Sequence, residues 1–183
     1  MRKKVIFNDV VNILPDTIED NRGSFTEIYN KKKMVELGIE DDFIQDNSSF
    51  SIYSNTLRGI HFQINPYAQS KLIKVDKGKI FDVFIDLRRN SSNFETHSSY
   101  VLTPKDGWLY IPRGYAHGFC TLESDTKVIY KVDNYYNKEF EQGLKWDDPF
   151  FDINWPIDKK KLIISDKDLN LPFWDNIRDK IDF

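Results

Sequence analysis

The feature that most constrains the fold is the recurrence of turn-forming residues, roughly every 8–15 positions along the chain. The segments between these turns are short, and many carry the β-branched and aromatic side chains that favour strands. Phe, Tyr and Trp make up 15% of the chain, which favours β structure or stacking pockets. No Ser/Gly-rich linker and no internal repeat divides the 183 residues. We therefore predict a single domain over residues 1–183, built as a sandwich or barrel of short strands.

One pair of strand-like segments stands out. Residues 71–75 and 80–87 flank a turn that contains Gly78, which can take a positive φ, so we predict a hairpin. In its second arm Asp82 and Asp86 alternate with apolar residues, a pattern typical of a barrel with polar groups on its inner face. Further strands are predicted at residues 4–13, 43–53, 99–103, 107–111, 118–122 and 127–132, and helices at 31–37 and about 173–183.

Composition excludes several classes of function. The chain has 26 Lys and Arg against 29 Asp and Glu, so it lacks the basic excess typical of nucleic-acid binders. Its single cysteine, Cys120, can form neither an intrachain disulfide nor a cysteine-based zinc site, which fits a reducing compartment. The apolar run near the N-terminus is too short for a signal peptide or a membrane span. We expect a cytoplasmic protein with no membrane or nucleic-acid partner.

Histidine is the side chain most readily set to exchange protons near neutral pH, and the chain has three: His61, His97 and His117. A metal site would need a further ligand at a suitable spacing. There is no His-x-His pair, however, and position 63, two residues after His61, is glutamine. We therefore predict no metal site.

The other polar candidates suggest a class of ligand. Arginines bind phosphate through paired hydrogen bonds, Lys71 can stabilise an oxyanion, and His61 with Tyr130 can exchange protons. From the residues alone, the chain points to an anionic small molecule that carries a carbonyl group.

A series of short motifs also occurs in a fixed order over roughly residues 15–172. The motifs are Asp20-x-Arg22-Gly23-x-Phe25-x-Glu27, Gln45-Asp46-Asn47-x-Ser49, Leu57-Arg58-Gly59-Ile60-His61-Phe62-Gln63, Ala68-Gln69-x-Lys71-Leu72, Gly78-x-Ile80-x-Asp82-Val83, Ile111-Pro112-x-Gly114-x-Ala116-His117-Gly118-Phe119, Tyr130-Lys131 and Ser165-x-Lys167-Asp168. Together they resemble the cupin-type nucleotide-sugar epimerases, the family of dTDP-4-dehydrorhamnose 3,5-epimerase. The resemblance implies a mainly β cupin jelly roll, a double-stranded β-helix barrel with a few short peripheral helices.

The resemblance also implies a reaction. It is epimerisation at C3 and C5 of a nucleotide-linked 4-keto-6-deoxyhexose, with the dTDP-linked precursor of L-rhamnose as the leading candidate. A base removes a proton next to the C4 ketone and an acid returns one from the opposite face, with no metal or other cofactor. His61 is the implied base, Asp168 orients its ring, and Tyr130 is the implied acid. Lys71 matches a catalytic group near the ketone and its enolate.

Neighbours of the same residue type compete for some of these roles. The competitors are Asp166 for Asp168, Tyr135 and Tyr136 for Tyr130, and Glu139 for Glu141. Lys71 and Lys74 fall on opposite faces of one strand, so at most one of them points inward. His97 matches no functional motif, and we expect it to be exposed.

The resemblance assigns a larger group of residues to the nucleotide, its diphosphate and the sugar. They are Arg22, Phe25, Glu27, Gln45, Asp46, Asn47, Arg58, Lys71, His117 and Glu141. The family forms homodimers that exchange N-terminal strands. We therefore expect a homodimer in which residues 4–13 form the exchanged strand and the partner supplies part of the nucleotide site.

Other functions stay open at this point. An epimerase that acts at one carbon only, or on another nucleotide sugar, would share the same base and scaffold, so the residues do not separate it. A ketoisomerase and a sugar-binding cupin without turnover are less well supported, because the chain has a base, an acid and an oxyanion stabiliser together.

Overall fold

In the computed structural model, which describes residues 1–183, short antiparallel strands form two main sheets. The strands are β1 (Arg2–Phe7), β2 (Val10–Leu14), β3 (Thr17–Asp20), β4 (Gly23–Thr26), β5 (Gln45–Ser51), β6 (Leu57–Gln63), β7 (Lys71–Lys77), β8 (Ile80–Asp86), β9 (His97–Leu102), β10 (Trp108–Ile111), β11 (Tyr115–Thr121), β12 (Thr126–Val132) and β13 (Glu141–Gly143). One sheet has the order β1-β2-β10-β7-β12-β5 and the other β13-β6-β11-β8-β9, while β3 and β4 pair only with each other. The mainly β prediction is confirmed.

Helical structure is confined to short segments outside the sheets. The helices are α1 (Lys31–Glu36) and α2 (Asp166–Leu169), and single 3₁₀ turns cover Pro104–Asp106, Lys159–Lys161, Trp174–Asn176 and Arg178–Lys180. Asn30 caps α1 by accepting a hydrogen bond from the Lys33 N–H, which confirms the helix predicted at 31–37. No helix of the chain is long and apolar enough to cross a membrane.

The core has three layers because both sheets are apolar on their outer faces as well. Between the sheets, Ile73 and Val75 of β7 pack with Phe84 of β8. Under α1, Leu72 packs with Met34 on the outer face of the six-stranded sheet. The C-terminal part of the chain covers the outer face of the five-stranded sheet with aromatic side chains, including Trp146, Trp155 and Trp174. This packing fixes which strand residues face the space between the sheets.

The predicted hairpin of residues 71–75 and 80–87 is wrong. Gly78 does have a positive φ of 85°, but the turn carries the chain from one sheet to the other, so β7 and β8 do not pair. Each strand instead lies between two other strands, β7 between β10 and β12 and β8 between β11 and β9. Both strands are therefore central, and their two faces contribute to different layers of the core.

Both terminal predictions also need correction. Residues 4–13 form two strands, because the chain turns at Asn8, which has a positive φ, and β1 pairs back onto β2. The segment 173–183 is not one helix. Arg89 donates hydrogen bonds to the carbonyls of Arg178 and Ile181, while Trp174 and Ile181 anchor the segment in the core, so two 3₁₀ turns form instead.

Candidate active site

A pocket of about 610 Å³ is lined by residues of both sheets. Its polar lining residues include Arg58, His61, Gln63, Gln69, Lys71, His117, Tyr130, Tyr136, Glu141, Lys167 and Asp168. The residues expected to do proton chemistry therefore surround one cavity. The residues expected to hold the nucleotide divide into those that line it and those that do not.

His61 faces this pocket from β6 and is held by Asp168. Its Nε2 lies 2.8 Å from Asp168 Oδ1, although the two residues are 107 positions apart. Asp168 is placed by α2, whose cap Ser165 accepts a hydrogen bond from the Asp168 N–H, and its Oδ2 accepts one from the Gly59 N–H at 3.0 Å. Burial works against ionisation, but the hydrogen bonds from His61 and Gly59 prevail and lower the pKa of Asp168. The imidazole is thus fixed by a carboxylate.

A second carboxylate lies on the other side of the ring. Glu141 Oε1 is 3.4 Å from His61 Nδ1, and Glu141 Oε2 accepts hydrogen bonds from the Tyr136 hydroxyl at 2.8 Å and from Lys167 Nζ at 2.6 Å. Burial alone would raise the pKa of Glu141, but the hydrogen bonds from Lys167 and Tyr136 outweigh burial and lower it. An imidazolium formed by proton uptake on His61 would lie between two negative charges, which stabilise it.

His117 forms a second histidine–carboxylate pair beside the first. It lies directly opposite His61 on the neighbouring strand β11, and its Nε2 is 2.8 Å from Oδ2 of the fully buried Asp82. Burial lowers the pKa of His117 and raises the pKa of Asp82.

Lys71 extends from the opposite sheet into the same pocket. Its Nζ lies 3.5 Å from the His61 carbonyl oxygen. Burial lowers the pKa of Lys71 to about 8, although the negative charges of Asp82 and Glu141 raise it. Lys74, three residues later, does not line the pocket, so the expectation that at most one of the two points inward is confirmed.

Tyr130 lies on β12 of the six-stranded sheet, whereas His61 lies on β6 of the five-stranded sheet. Burial raises the pKa of Tyr130, so its phenol keeps its proton at neutral pH. Arg58 also lines the pocket, and its guanidinium donates hydrogen bonds to Ser51 Oγ and to the Phe50 carbonyl. The His61 imidazole and the Tyr130 phenol thus face the cavity from opposite sheets.

The remaining nucleotide-binding candidates do not line this pocket. On the β3–β4 hairpin, Arg22 binds Asp20 and Phe25 is 69% exposed, and just beyond it Glu27 binds Lys33. The candidates of β5 also lie outside it: Gln45 donates to Asn47 Oδ1, and Asp46 pairs with Lys131. Within one chain these residues therefore lie apart from the cavity that holds His61 and Tyr130.

Several residues that line the pocket or bind its lining residues were assigned no role from the sequence. Asp82 stands in a matched motif, and its inner-face position follows from strand alternation, which is the signal that could have identified it. Gln63 lies two residues after His61, so the same periodicity places it near the site. Tyr136 and Lys167 become visible only when the fold brings them to Glu141. His97 was expected to be exposed, but it is half-buried, and its Nδ1 has no hydrogen-bond partner.

Comparison with known proteins identifies the family. The family model described as dTDP-4-dehydrorhamnose 3,5-epimerase matches residues 4–176. The chain belongs to this family. A dTDP-4-dehydrorhamnose 3,5-epimerase from Sinorhizobium fredii is 40% identical over 165 residues, which cover 90% of this chain and 84% of that protein.

Solved structures of this family match the fold closely. The dTDP-4-dehydrorhamnose 3,5-epimerase of Bacillus anthracis, solved with TDP and PPi bound, is 45% identical with a TM-score of 0.88, covering 94% of this chain and 99% of that one. A dTDP-6-deoxy-D-glucose-3,5-epimerase of Legionella pneumophila, in complex with dTDP-4-keto-L-rhamnose, is 33% identical with a TM-score of 0.90, covering 99% and 98%. The prediction of a cupin jelly roll is confirmed.

Proposed function

We propose that this chain is an isomerase that converts dTDP-4-dehydro-6-deoxy-D-glucose to dTDP-4-dehydro-L-rhamnose by epimerisation at C3 and C5. The observation that carries the proposal is the placement of His61 and Tyr130 on opposite sheets of one pocket, with Lys71 between the same walls. Membership of the family and the nucleotide ligands of its solved members support this substrate class.

The roles follow from the geometry of each group. Asp168 accepts a hydrogen bond from His61 Nε2–H, which leaves the electron pair of Nδ1 to remove the proton next to the C4 ketone. The C–H electron pair moves into the ring as an enolate, whose oxygen the Lys71 ammonium stabilises. Tyr130 then donates its hydroxyl proton to the opposite face of the carbon, which inverts it. Solvent resets the protons on Tyr130 and His61.

The ligand's phosphates need cations at the pocket. Arg58 and Lys167 both line it, and we assign the diphosphate to them, since a guanidinium suits paired phosphate hydrogen bonds. We assign His117 and Glu141 to the sugar, because both lie beside His61. The base and acid positions therefore determine where the hexose ring sits.

We propose that the protein is a homodimer and that the β3–β4 hairpin completes the partner's site. Ile18 and Phe25 are directly opposite each other on this hairpin and are 67% and 69% exposed. An isolated two-stranded hairpin with apolar side chains in solvent is marginally stable, so contact with another surface would stabilise it. The hairpin, with Glu27 beside it, would bring Arg22 and Phe25 to the nucleotide. Within this chain β1 pairs with β2 and lies at the edge of the six-stranded sheet. It is therefore the strand available for exchange in the dimer.

Two features of organisation belong to the same proposal. The three core layers share the central strands β7 and β8, which supports one domain over residues 1–183. Cys120 is buried and free, which suits a reducing cytoplasm.

The product decides between the proposed reaction and its relatives. Purified enzyme is incubated with dTDP-4-dehydro-6-deoxy-D-glucose, and the sugar is analysed by NMR. The proposal expects inversion at both C3 and C5 with the carbonyl still at C4. Inversion at one carbon identifies a monoepimerase, a carbonyl at C3 identifies a ketoisomerase, and binding without turnover identifies a sugar-binding cupin.

A further inference from the structure

The most unusual charge in the molecule is that of Asp82, which has no assigned role. Its side chain is fully buried on the inner face of β8. One carboxylate oxygen, Oδ2, pairs with His117 Nε2 at 2.8 Å, but the other, Oδ1, has no hydrogen-bond partner in the chain. A buried carboxylate with an unpaired oxygen is costly, so either a nearby positive charge stabilises it or it takes up a proton.

Lys71 is the cation that can supply that positive charge. The titratable groups that line the pocket with Lys71 are Arg58 and His61 of β6, His117 of β11, Tyr130 of β12, Glu141 of β13, and Tyr136, Lys167 and Asp168. Asp82 of β8 is bound to His117, and it and Glu141 are the two carboxyl groups whose charge acts on the Lys71 ammonium. Asp168 is bound to His61. Glu141 already accepts hydrogen bonds from Lys167 and Tyr136. Asp82 has no other cation, so it is the uncommitted counter-charge of Lys71.

We propose that Asp82 is a positioning residue of the epimerase, whose buried negative charge keeps the Lys71 ammonium protonated beside the substrate and whose hydrogen bond orients His117. The inference rests on the proposed function, because the charge on Lys71 is needed where the enolate forms. In this arrangement His117 is neutral, and its Nε2–H donates a hydrogen bond to Asp82 Oδ2.

The pKa directions agree with this arrangement. Burial alone would drive the pKa of Lys71 down, and Asp82 is the first of the two charges that raise it. Conversely, burial raises the pKa of Asp82, while His117 and Lys71 lower it. The two groups therefore hold each other in the charged state, and removal of one charge makes the other easier to neutralise.

Asp82→Asn tests the proposal because it removes the charge and keeps the shape. A matched control is Asp86→Asn on the same strand and face. Asp86 is equally buried but is bound by Arg88 and Ser91, whereas Asp82 is bound to the pocket residue His117. The protonation midpoint of Lys71 is read from the pH dependence of its acetylation by acetic anhydride, measured by mass spectrometry. kcat/KM is measured over the same pH range.

In the wild type we expect the Lys71 midpoint, and the alkaline fall in kcat/KM, near pH 8. Asp82→Asn should move both to lower pH, by on the order of one unit, whereas Asp86→Asn should leave them in place. A purely structural role would lower activity without moving the midpoint. An unchanged Lys71 midpoint in folded Asp82→Asn would overturn the proposal.

A wild-type measurement keeps the proposal testable should Asp82→Asn fail to fold. ¹⁵N NMR of the three histidines is expected to show His117 neutral at pH 7, with its proton on Nε2. An imidazolium or the Nδ1–H tautomer at that pH would contradict it. If the wild type lacks epimerase activity the proposed function fails, whereas the acetylation midpoint and the NMR spectrum still decide the role of Asp82.

Discussion

The pocket between the sheets and the β3–β4 hairpin differ in how their functional groups are held. In the pocket, His61 and His117 are each fixed by a carboxylate at 2.8 Å from residues distant in sequence. On the hairpin, Arg22 contacts only its neighbour Asp20, and Phe25 lies in solvent. The family resemblance assigned both regions to one ligand, yet a single chain assembles only the first. The groups expected to move protons are thus held in place within one chain, whereas the proposed nucleotide contacts of the hairpin depend on the dimer that we propose.

The largest effect on activity is expected from His61→Asn, which removes the proposed base from the pocket. General bases contribute about 10²–10⁴-fold to rate, so kcat should fall by a factor in that range. Solvent deuterium incorporation, followed by NMR in D₂O, should fall with it. His97→Asn is the matched control, because His97 lies outside the pocket and should leave both rates unchanged. Exchange at the wild-type rate in His61→Asn would show that another group is the base.

Tyr130→Phe should have the next largest effect, because it removes the acid and leaves the base intact. Epimerisation should fall about 10²-fold or more, while His61 still exchanges substrate protons with solvent. Comparing product formation with deuterium incorporation in the same sample separates the two steps. Tyr135→Phe, at an exposed tyrosine outside the pocket, serves as the control. Equal loss of exchange and epimerisation would contradict the division of roles.

The hairpin should affect binding more than chemistry. In the double variant Arg22→Ala/Phe25→Ala, we expect KM to rise about tenfold, with kcat within a few-fold of the wild type. The reason is that the lost contacts bind the substrate and the transition state equally well. When this variant is mixed with inactive His61→Asn and the subunits exchange, activity at substrate concentrations well below KM should exceed that of either variant alone. One of the two sites in a mixed dimer then has an intact His61 and an intact hairpin. No gain on mixing would show that the hairpin does not serve a partner.

The smallest effect is expected at the pocket rim, where Gln63 joins two loops. Its amide donates to the Tyr67 and Tyr135 carbonyls at 2.8 and 3.1 Å and accepts from the Asn137 N–H at 2.6 Å. Gln63→Met leaves these partly exposed backbone groups without their side-chain partner, which should lower the free energy of unfolding by about 1 kcal/mol. KM should rise a few-fold as the Tyr136 loop loosens. Urea unfolding measures the free energy of unfolding, and steady-state kinetics measure KM. An unchanged free energy of unfolding would show that Gln63 does not hold the two loops together.

Much of the pocket was predictable because strand periodicity is local. Alternation put Lys71 and Lys74 on opposite faces of one strand, and it put Asp82 on the inner face of its strand. The motifs chose Asp168 over Asp166, and the structure places Asp168, not Asp166, against His61. These results depend on residue spacing within one strand or one motif.

The errors came from features that spacing does not encode. The turn at Gly78 looks like a hairpin, but whether two consecutive strands pair or separate into different sheets depends on distant strands, here β10, β12, β11 and β9. The C-terminal segment has helical spacing of its buried residues, yet Arg89 binds the carbonyls that a helix would use.

The most direct test of the account is the position of solvent deuterium in the product. Wild-type enzyme is incubated with dTDP-4-dehydro-6-deoxy-D-glucose in D₂O, and the product is examined by NMR and mass spectrometry. Because each inverted carbon loses a proton to His61 and receives one from solvent-exchanged Tyr130, we expect one deuterium at C3 and one at C5. A product inverted at both carbons that keeps its original hydrogens there would contradict the account.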